Sequence, residues 1–256
     1  MKIVIPMSGI GKRFADAGYT DIKPLIKVHG VPIVEWVTRL FPGETDFIFI
    51  CRNEHLNTLP LESELKRIAP RSQVLGIEGH KLGPVYAVQQ AYPYIGDNEQ
   101  VIVNYCDFFQ GWDYQYFKKT VTEKGCEGAI PCYTGFHPHL LPEENLYASC
   151  LRDSDEMLLE IKEKFSFEAD KTKSFHSGGT YYFKSGEILK KYFDKTIEKD
   201  LSLNGEYYVS LVYNLLVKDG LKTWVYDKVP FFCQWGTPFD LEQYNTWYEI
   251  MDHYKK

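Results

Sequence analysis

The sequence predicts an α/β protein: a three-layer α/β/α sandwich in which helices cover a mixed, mostly parallel sheet, with a small antiparallel insert. Short apolar runs rich in Val and Ile alternate with amphipathic helical segments as far as Tyr133, which is typical of a parallel sheet. After Tyr133 the runs are shorter and separated by loop-like stretches. The chain has 256 residues, of which 44% are hydrophobic. We therefore expect one domain, residues 1–256, with two halves at residues 1–133 and 134–256.

The first half opens on residues 2–7, an apolar run that predicts a buried parallel strand. A helix is predicted to begin at Val31-Pro32, because proline suits the first helical turn and apolar residues follow at helical spacing. Further strands are predicted at residues 46–51, 73–77, 100–104 and 128–133, and helices at residues 52–69, 83–92 and 112–124. Pro60 should interrupt the helix at 52–69, since proline breaks a helix interior.

The second half is predicted to begin with the antiparallel insert. Its strands are expected at residues 147–152, 158–162 and 180–183. Helices are expected at 187–197, 205–218 and 239–251, with a late strand at 223–226. His137-Pro138-His139 is interpreted as a surface turn that could still reach a ligand from the insert.

Composition and charge exclude several classes of protein. The formal net charge is −6 and no basic run occurs, so nucleic-acid binding is not expected. No apolar run approaches the roughly 18 residues of a membrane span, and polar residues follow the first strand, unlike a signal peptide. Six cysteines lack any CxxC spacing, which favours free thiols in a reducing cytoplasm over structural zinc.

A glycine loop follows the first strand. Gly9 and Gly11 allow the backbone to approach a ligand closely, and Arg13 and Lys23 bring cations to the same segment. Backbone N–H groups together with cations can cradle phosphates, although a plain glycine turn with solvated cations remains open. The nucleotide-binding residues expected here are Pro6, Met7, Ser8, Gly9, Gly11, Arg13 and Lys23.

The loop resembles the opening motif of the sugar-phosphate nucleotidyltransferases, or nucleoside-diphosphate-sugar pyrophosphorylases. In that family a strand precedes G-x-G-x-R, and ten residues after the Arg comes Lys-Pro; the matching residues are Gly9, Gly11, Arg13, Lys23 and Pro24. The resemblance implies a glycosyltransferase-A-like, Rossmann-like fold that transfers a nucleotidyl group to a phosphorylated acceptor and releases pyrophosphate. It also implies a nucleotide half at 1–133, an acceptor half at 134–256 and a possible homodimer.

A metal site is implied by the same resemblance. Asp107 closely follows an apolar strand, where ligands sit in open α/β sheets, and the family uses an Asp here to bind Mg²⁺. The alternative is a turn cap. In Gln234-Trp235-Gly236-Thr237-Pro238, Gln234 stands where the family has its second carboxylate. An amide is a weaker Mg²⁺ ligand than a carboxylate, so Gln234 is only a weak metal candidate.

Acceptor-binding residues are expected in the second half. Glu163-Lys164-Phe165 resembles the family's Glu-Lys-Pro, in which the Lys holds the acceptor phosphate and is counted with Arg13 and Lys23 as catalytic. Gly179 and Glu206 resemble residues that line the acceptor pocket. Each has a structural alternative. Glu163 and Lys164 could form a solvated strand face, Gly179 could belong to a hairpin turn, and Glu206 could belong to a helix start capped by Asn204.

Base choice is assigned to Glu78 and Gly83, which have the spacing of a Gln and a Gly that contact the base in the family. A carboxylate only accepts hydrogen bonds, so Glu78 suits the N4 amino group of cytosine. The O4 atom of uracil would oppose it, while the N6 amino group of adenine remains open. The sequence therefore favours CTP.

We expect a Mg²⁺-dependent cytidylyltransferase acting on a phosphorylated small molecule for capsule or surface polysaccharide. The chain resembles capsule-locus cytidylyltransferases, including the type that activates a phosphorylated amino acid such as glutamine phosphate; a sugar phosphate is the other acceptor class. One alternative is a glycosyltransferase of related fold, which would need a metal-binding pair of acids one residue apart at the end of the predicted strand 100–104; Tyr105 takes the earlier of those positions. Another is a non-catalytic nucleotide-binding regulatory domain.

Overall fold

The computed structural model describes residues 1–254, and its centre is a ten-stranded mixed sheet. The strands are β1 (Lys2–Pro6), β2 (Lys27–Val28), β3 (Val31–Pro32), β4 (Phe47–Arg52), β5 (Gln73–Ile77), β6 (Val101–Asn104), β7 (Phe108–Gly111), β8 (Gly128–Tyr133), β9 (Ser149–Arg152), β10 (Leu158–Lys162), β11 (Phe175–Ser177), β12 (Thr180–Phe183), β13 (Thr223–Val229) and β14 (Phe231–Gln234). The helices are α1 (Lys12–Asp16), α2 (Ile33–Thr38), α3 (Asn53–Thr58), α4 (Leu61–Ile68), α5 (Pro84–Gln89), α6 (Tyr114–Glu123), α7 (Gly186–Glu198), α8 (Val209–Lys218) and α9 (Pro238–His253).

The strand order in the large sheet is β10-β9-β11-β8-β12-β6-β1-β4-β5, and β13 pairs in parallel with β8. Strands β6, β1, β4 and β5 run parallel to one another and form the parallel core. Strands β7 and β14 form a separate antiparallel pair, as do β2 and β3. A mixed α/β fold with a parallel core and antiparallel additions is therefore confirmed.

Both faces of the sheet are covered. Ile3 and Ile5 of β1 belong to one buried apolar cluster, and Val4 between them belongs to a second cluster. Successive side chains of a strand point to opposite faces, so the two clusters lie on opposite sides of β1. This burial explains why β1 is a continuous apolar run instead of an alternating one.

Several predicted elements coincide with observed ones. The strands predicted at 73–77, 128–133, 158–162 and 180–183 are β5, β8, β10 and β12. The break predicted at Pro60 is confirmed, because α3 ends at Thr58 and α4 begins at Leu61. Proline cannot supply the N–H that a continuous helix would need there.

Some predicted positions are wrong. Strand β12 does not belong to the antiparallel insert; it lies between β6 and β8 inside the large sheet, and β9 to β11 extend that same sheet. The helix predicted from residue 205 begins at Val209, after a turn in which Asn204 has φ of +55°. Asn204 therefore does not cap the helix, whose N-cap residue is Tyr208.

The histidines expected on a surface turn are also placed differently. His137 is buried, and its Nε2 atom accepts the backbone N–H of Phe232 at 3.2 Å. His139 is hydrogen-bonded through Nε2 to the Tyr133 hydroxyl group at 2.8 Å. These two side chains join loop 134–140 to β8 and β14, so they are part of the core packing.

No helix within residues 1–254 is long and apolar enough to cross a membrane.

Candidate active site

A cleft opens where the carboxyl ends of β1 and β6 meet. The chain leaves β1 at Pro6 and enters the glycine loop, and it leaves β6 at Asn104 shortly before Asp107. Two adjoining cavities of about 560 Å³ and 230 Å³ occupy this edge. Both are lined by Pro6, Gly9, Gly11, Lys23 and Pro84. The predicted nucleotide-binding residues of the first segment are thus brought together at one sheet edge, as expected for an open α/β sheet.

The two glycines of the loop differ in what they require. Gly11 has φ of +68° just before α1, a conformation that favours glycine. A Cβ atom on Gly11 would lie 3.7 Å from Cβ of Lys23, whereas nothing lies within 4 Å of a Cβ on Gly9. The loop therefore presents open backbone to the cleft.

Lys23 and Asp107 form an ion pair at the floor of the cleft. Nζ of Lys23 lies 2.6 Å from Oδ2 of Asp107, and their side chains are only 20% and 24% exposed. Burial lowers the pKa of Lys23, but the neighbouring Asp107 carboxylate outweighs it and leaves the pKa above its usual value. Lys23 is therefore a cation at neutral pH, and Asp107 is its counter-ion.

Arg13 supplies a second cation to the cleft. Its side chain is exposed, lines the larger cavity and makes no ion pair or side-chain hydrogen bond within the described chain. Lys12 next to it is different, because its Nζ lies 2.7 Å from the Asp16 carboxylate. Arg13 is thus available to an anionic ligand, and a planar guanidinium group suits the bidentate binding of phosphate.

Asp107 and Gln234 lie over the same glycine. A Cβ atom on Gly236 would be 3.1 Å from Oδ2 of Asp107 and 2.5 Å from Nε2 of Gln234. Pairing of β7 with β14 produces this arrangement, because it places Gln234 opposite Phe108, the residue after Asp107. The backbone N–H of Trp235 also donates to the carbonyl oxygen of Asp107 at 2.9 Å.

These two side chains fit a Mg²⁺ ion that is held largely by its substrate. Mg²⁺ commonly takes one or two carboxylates and completes its shell with substrate phosphates and water. Asp107 offers one carboxylate, and a turn of the Gln234 amide group, which now presents Nε2 here, would add an amide oxygen. Residues 1–254 contain no cluster of three His, Cys, Asp or Glu side chains suited to a metal. A second acid, Asp240, stands nearby. Burial and the charge of Asp107 raise the pKa of its carboxyl group, and a hydrogen bond of 2.7 Å that it accepts from the Thr237 hydroxyl group opposes this rise.

The predicted acceptor residues are not all at the cleft. Glu206 lines the larger cavity. Glu163 is hydrogen-bonded to Ser210, and burial raises the pKa of its carboxyl group. Lys164 is exposed, with φ of +52° and no side-chain hydrogen bond in residues 1–254. Neither Glu163 nor Lys164 lines the two cavities.

Gly179 lies beneath the cleft, against Tyr105. Gly179 has φ of +102°, and a Cβ atom there would be 2.9 Å from Cδ2 of Tyr105. Its carbonyl oxygen accepts the N–H of Tyr105 at 3.0 Å. The Tyr105 hydroxyl group in turn accepts the N–H of Val209 at 3.3 Å. Tyr105 therefore links β12 to the start of α8.

Gly83 joins the two halves of the chain at the cleft. It has φ of +85°, and a Cβ atom would lie 2.8 Å from N and 2.9 Å from O of Tyr207. The N–H of Tyr207 donates to Leu82 O at 2.9 Å, and the N–H of Val85 donates to Tyr207 O at 3.1 Å. A side chain at Gly83 would separate these segments.

Glu78 lies beside this loop but not on the cavity wall. Its Oε1 accepts the side-chain amide of Asn53 at 2.6 Å, and it does not line either cavity. His80 and Lys81, which the sequence motifs did not single out, line the larger cavity instead. Both residues lie between Glu78 and Gly83, the two residues predicted to contact the base, and this position is the sequence signal that could have identified them as site residues.

Comparisons with known proteins agree with this architecture. A family model described as the MobA-like NTP transferase domain matches residues 3–170. No curated protein sequence matches the chain. The nucleoside-diphosphate-sugar pyrophosphorylase from Vibrio cholerae RC9 superposes with a TM-score of 0.74 at 18% identity, covering 94% of this chain and 98% of that one. The inositol-1-phosphate CTP transferase from T. maritima gives 0.71 at 15% identity, covering 95% and 93%. At such identity the two structures show a shared fold.

Proposed function

The chain belongs to the MobA-like NTP transferase family and is a nucleotidyltransferase, and we propose that it transfers CMP from CTP to a phosphorylated small molecule in the cleft described above. The observation that carries this proposal is the Lys23–Asp107 ion pair, which lies beside the glycine loop and the unpaired Arg13. Cations, open backbone and one carboxylate are the groups that a triphosphate with its metal requires.

The reaction brings two anions together. A phosphate oxygen of the acceptor attacks the α-phosphorus of the nucleotide, a new P–O bond forms, and the bond to the β-phosphate breaks to release pyrophosphate. The protein must neutralise charge and hold the three groups in line. Arg13 and Lys23 supply positive charge to the triphosphate, and the backbone of Gly9 and Gly11 supplies space beside it.

Asp107, with the weaker Gln234, would hold Mg²⁺ in this site. The ion supplies charge stabilisation for the phosphates when bound. Lys23 now occupies one oxygen of Asp107, so the carboxylate is already oriented toward the cleft. We propose that the triphosphate draws Lys23 toward its own oxygens and leaves Asp107 for the metal.

The acceptor side is proposed to lie toward Glu206, Gly179 and the exposed Lys164. Lys164 is exposed and makes no side-chain hydrogen bond or ion pair within residues 1–254, so its ammonium group is available to an acceptor phosphate. A sugar phosphate or a phosphorylated amino acid such as glutamine phosphate is the proposed acceptor class. On the resemblance to capsule-locus transferases, the product is proposed to serve surface-polysaccharide assembly.

Tyr105 supports a nucleotidyltransferase over a glycosyltransferase. The rival enzyme would need a pair of acids one residue apart just after β6, and Tyr105 stands at the earlier of those two positions, two residues before Asp107. Its hydroxyl group is engaged by the backbone of Val209 and its ring packs against Gly179. Tyr105 is therefore a packing residue, and its phenol side chain does not provide the carboxylate that the metal would need.

The test is pyrophosphate release in the presence of Mg²⁺, with CTP, UTP, GTP, dTTP and ATP crossed against phosphorylated acceptors. The acceptors are hexose 1-phosphates, phosphocholine, glycerol phosphates and phosphorylated amino acids. We expect a strong signal with CTP and one acceptor class. A best signal with another nucleotide would contradict the choice of CTP and leave the reaction intact.

Calorimetry separates the remaining outcomes. Tight CTP binding without turnover on any acceptor would favour the non-catalytic nucleotide-binding alternative. Absence of both binding and turnover for all five nucleotides would overturn the assignment of the cleft.

A further inference from the structure

Strand β10 is the last strand of the large sheet, and one side chain of helix α8 covers its outer edge. Within residues 1–254 the order of the sheet ends at β10, which pairs with β9 on its inner side. On the outer side, the Asn214 amide group accepts the N–H of Ile161 at 3.0 Å and donates to the carbonyl oxygen of the same residue at 2.8 Å. Since an edge strand otherwise leaves such groups unpaired, Asn214 takes the place of a neighbouring strand and fixes the end of β10.

A second bond from α8 holds the residues just after β10. Ser210 lies four positions before Asn214, so the two side chains share one face of the helix. The Ser210 hydroxyl group is fully buried and donates to the Glu163 carboxylate. Residues 161 and 163 are therefore both bound to α8, one through the backbone and one through the side chain.

Lys164 follows directly and has an unfavourable backbone conformation. Its φ of +52° lies in the left-handed region, which is costly for any residue with a Cβ atom. Phe165 after it is also held, because its N–H donates to the carbonyl oxygen of Tyr147 at 3.3 Å and its carbonyl oxygen accepts the Ser149 hydroxyl group at 2.7 Å. Such strain persists where the surrounding contacts enforce it, and it is frequent at functional sites.

The turn at residues 163–164 lies close to the cleft wall. Tyr105 and Tyr208 line the smaller cavity. The Tyr105 hydroxyl group accepts the N–H of Val209 at 3.3 Å, and Ser210, the partner of Glu163, is the next residue. The helix face that binds the turn therefore begins where α8 meets the cavity.

We propose that Ser210 and Asn214 are positioning residues that hold this turn so that the ammonium group of Lys164 meets the phosphate of the acceptor. The inference rests on the proposed nucleotidyl transfer and on the role proposed there for Lys164. Lysine carries its charge on a flexible four-carbon stem, so the place of its Cα atom decides which points the ammonium group can reach. Transfer requires the acceptor phosphate in line with the α-phosphorus, and a fixed turn restricts Lys164 to that side of the cleft. Neither Ser210 nor Asn214 touches substrate in this scheme.

The experiment measures pyrophosphate release with Mg²⁺ and the pair of nucleotide and acceptor that gives the strongest signal in the test above. Asn214→Leu keeps a side chain of similar size and removes both bonds to Ile161. We expect it to raise the KM of the acceptor by about 5- to 20-fold, since misplacement of a substrate-positioning group has effects of this order. The KM of the nucleotide should stay the same. Ser210→Ala should change the two constants in the same way.

Three further variants separate positioning from stability. Asn214→Leu combined with Lys164→Ala should raise the KM of the acceptor no further than Lys164→Ala alone, because both changes act through one ammonium group. Tyr192→Phe removes a hydrogen bond of 3.0 Å to Asp219 at the other end of α8; it should lower the melting temperature and leave the KM of the acceptor unchanged. Asn214→Asp retains an acceptor for the N–H of Ile161 and should lie between wild type and Asn214→Leu. Circular dichroism melts check that each variant is folded.

Two results overturn the inference while leaving the proposed function intact. One is an unchanged KM of the acceptor in Asn214→Leu and Ser210→Ala when Lys164→Ala does raise it; if Asn214→Leu does not fold, Asn214→Asp takes its place. The other is a double variant in which the effects of Asn214→Leu and Lys164→Ala simply multiply. If Lys164→Ala leaves the KM of the acceptor unchanged, the inference falls together with the role of Lys164. Failure of the wild type with every substrate pair would instead overturn the proposed function itself.

Discussion

Nζ of Lys23 lies 2.6 Å from Oδ2 of Asp107, although 84 positions separate the two residues in the chain. The pair joins the segment after the glycine loop to the segment after β6. A partly buried ion pair stabilises a fold only when its groups are well paired. Here it also pre-positions a carboxylate and a cation at the floor of the cleft, so loss of either side chain should affect chemistry more than folding.

Replacement of Asp107 should nearly abolish nucleotidyl transfer. We expect Asp107→Asn, and more strongly Asp107→Ala, to lower kcat by about 100-fold or more, because the changes remove the carboxylate proposed to bind Mg²⁺. Pyrophosphate release on the best substrate pair measures this. The matched control is Asp113→Ala, which removes the cap that accepts the N–H of Tyr116. It should cost about 1 kcal/mol of stability with little change in kcat. Near-native turnover in Asp107→Ala would remove Asp107 from the metal role.

Lys164 should act on the acceptor alone. Lys164→Ala is expected to raise the KM of the phosphorylated acceptor by about 10- to 100-fold, the usual effect of losing a charge-assisted hydrogen bond. The KM for CTP should stay the same. Lys162, the last residue of β10 and two positions before Lys164, pairs with Glu160 at 3.1 Å, so Lys162→Ala serves as the control and should change neither constant. Equal effects in the two variants would argue for a general role of surface charge.

Gly83 should be intolerant of a side chain for a reason beyond its backbone angle. Gly83→Ala and Gly18→Ala both place alanine at φ of +85°, but only at Gly83 would the new methyl group meet backbone atoms of Tyr207. Positive φ alone costs alanine more than about 1 kcal/mol, and Gly83→Ala should be clearly less stable than Gly18→Ala. It should also weaken CTP binding, since the cleft walls separate. Urea unfolding and calorimetry measure both effects; equal stabilities would show that Tyr207 simply moves aside.

The buried histidines should make the protein sensitive to acid. Burial, with smaller effects from His137 and His176, lowers the pKa of His139 to about 3. In the unfolded chain its pKa is about 6.5, so between these values the unfolded state binds more protons than the folded state. Stability must therefore fall as pH falls from about 6.5 toward 3.

Urea unfolding at about pH 7.5 and about pH 5 measures this loss. His139→Gln retains a partner for the Tyr133 hydroxyl group and should lose less stability between the two conditions than wild type. His253→Gln, at an exposed position near the end of α9, is the control and should follow wild type. Identical losses in wild type and His139→Gln would show that His139 does not drive the acid response.

Much of the architecture was predictable because it is local. Apolar runs such as residues 73–77 and 128–133 are long enough and flanked by turn residues, so their periodicity indicates strands directly. Proline at position 60 marked the helix break for an equally local reason. Strands β7 and β14 were not predicted from the sequence. Each is only four residues long, and the two strands pair with each other although more than 100 residues separate them in the chain.

The sequence by itself determined the alternation of strands and helices, and the glycine loop with Arg13 and Lys23, because motif spacing and periodicity are properties of neighbouring residues. Only the tertiary structure decided which distant side chains meet. Pairing of β7 with β14 brought Gln234 beside Asp107, and packing of residues 78–83 against the glycine loop brought His80 to Ser8. Such contacts depend on strand order and loop packing, which no short stretch of sequence encodes.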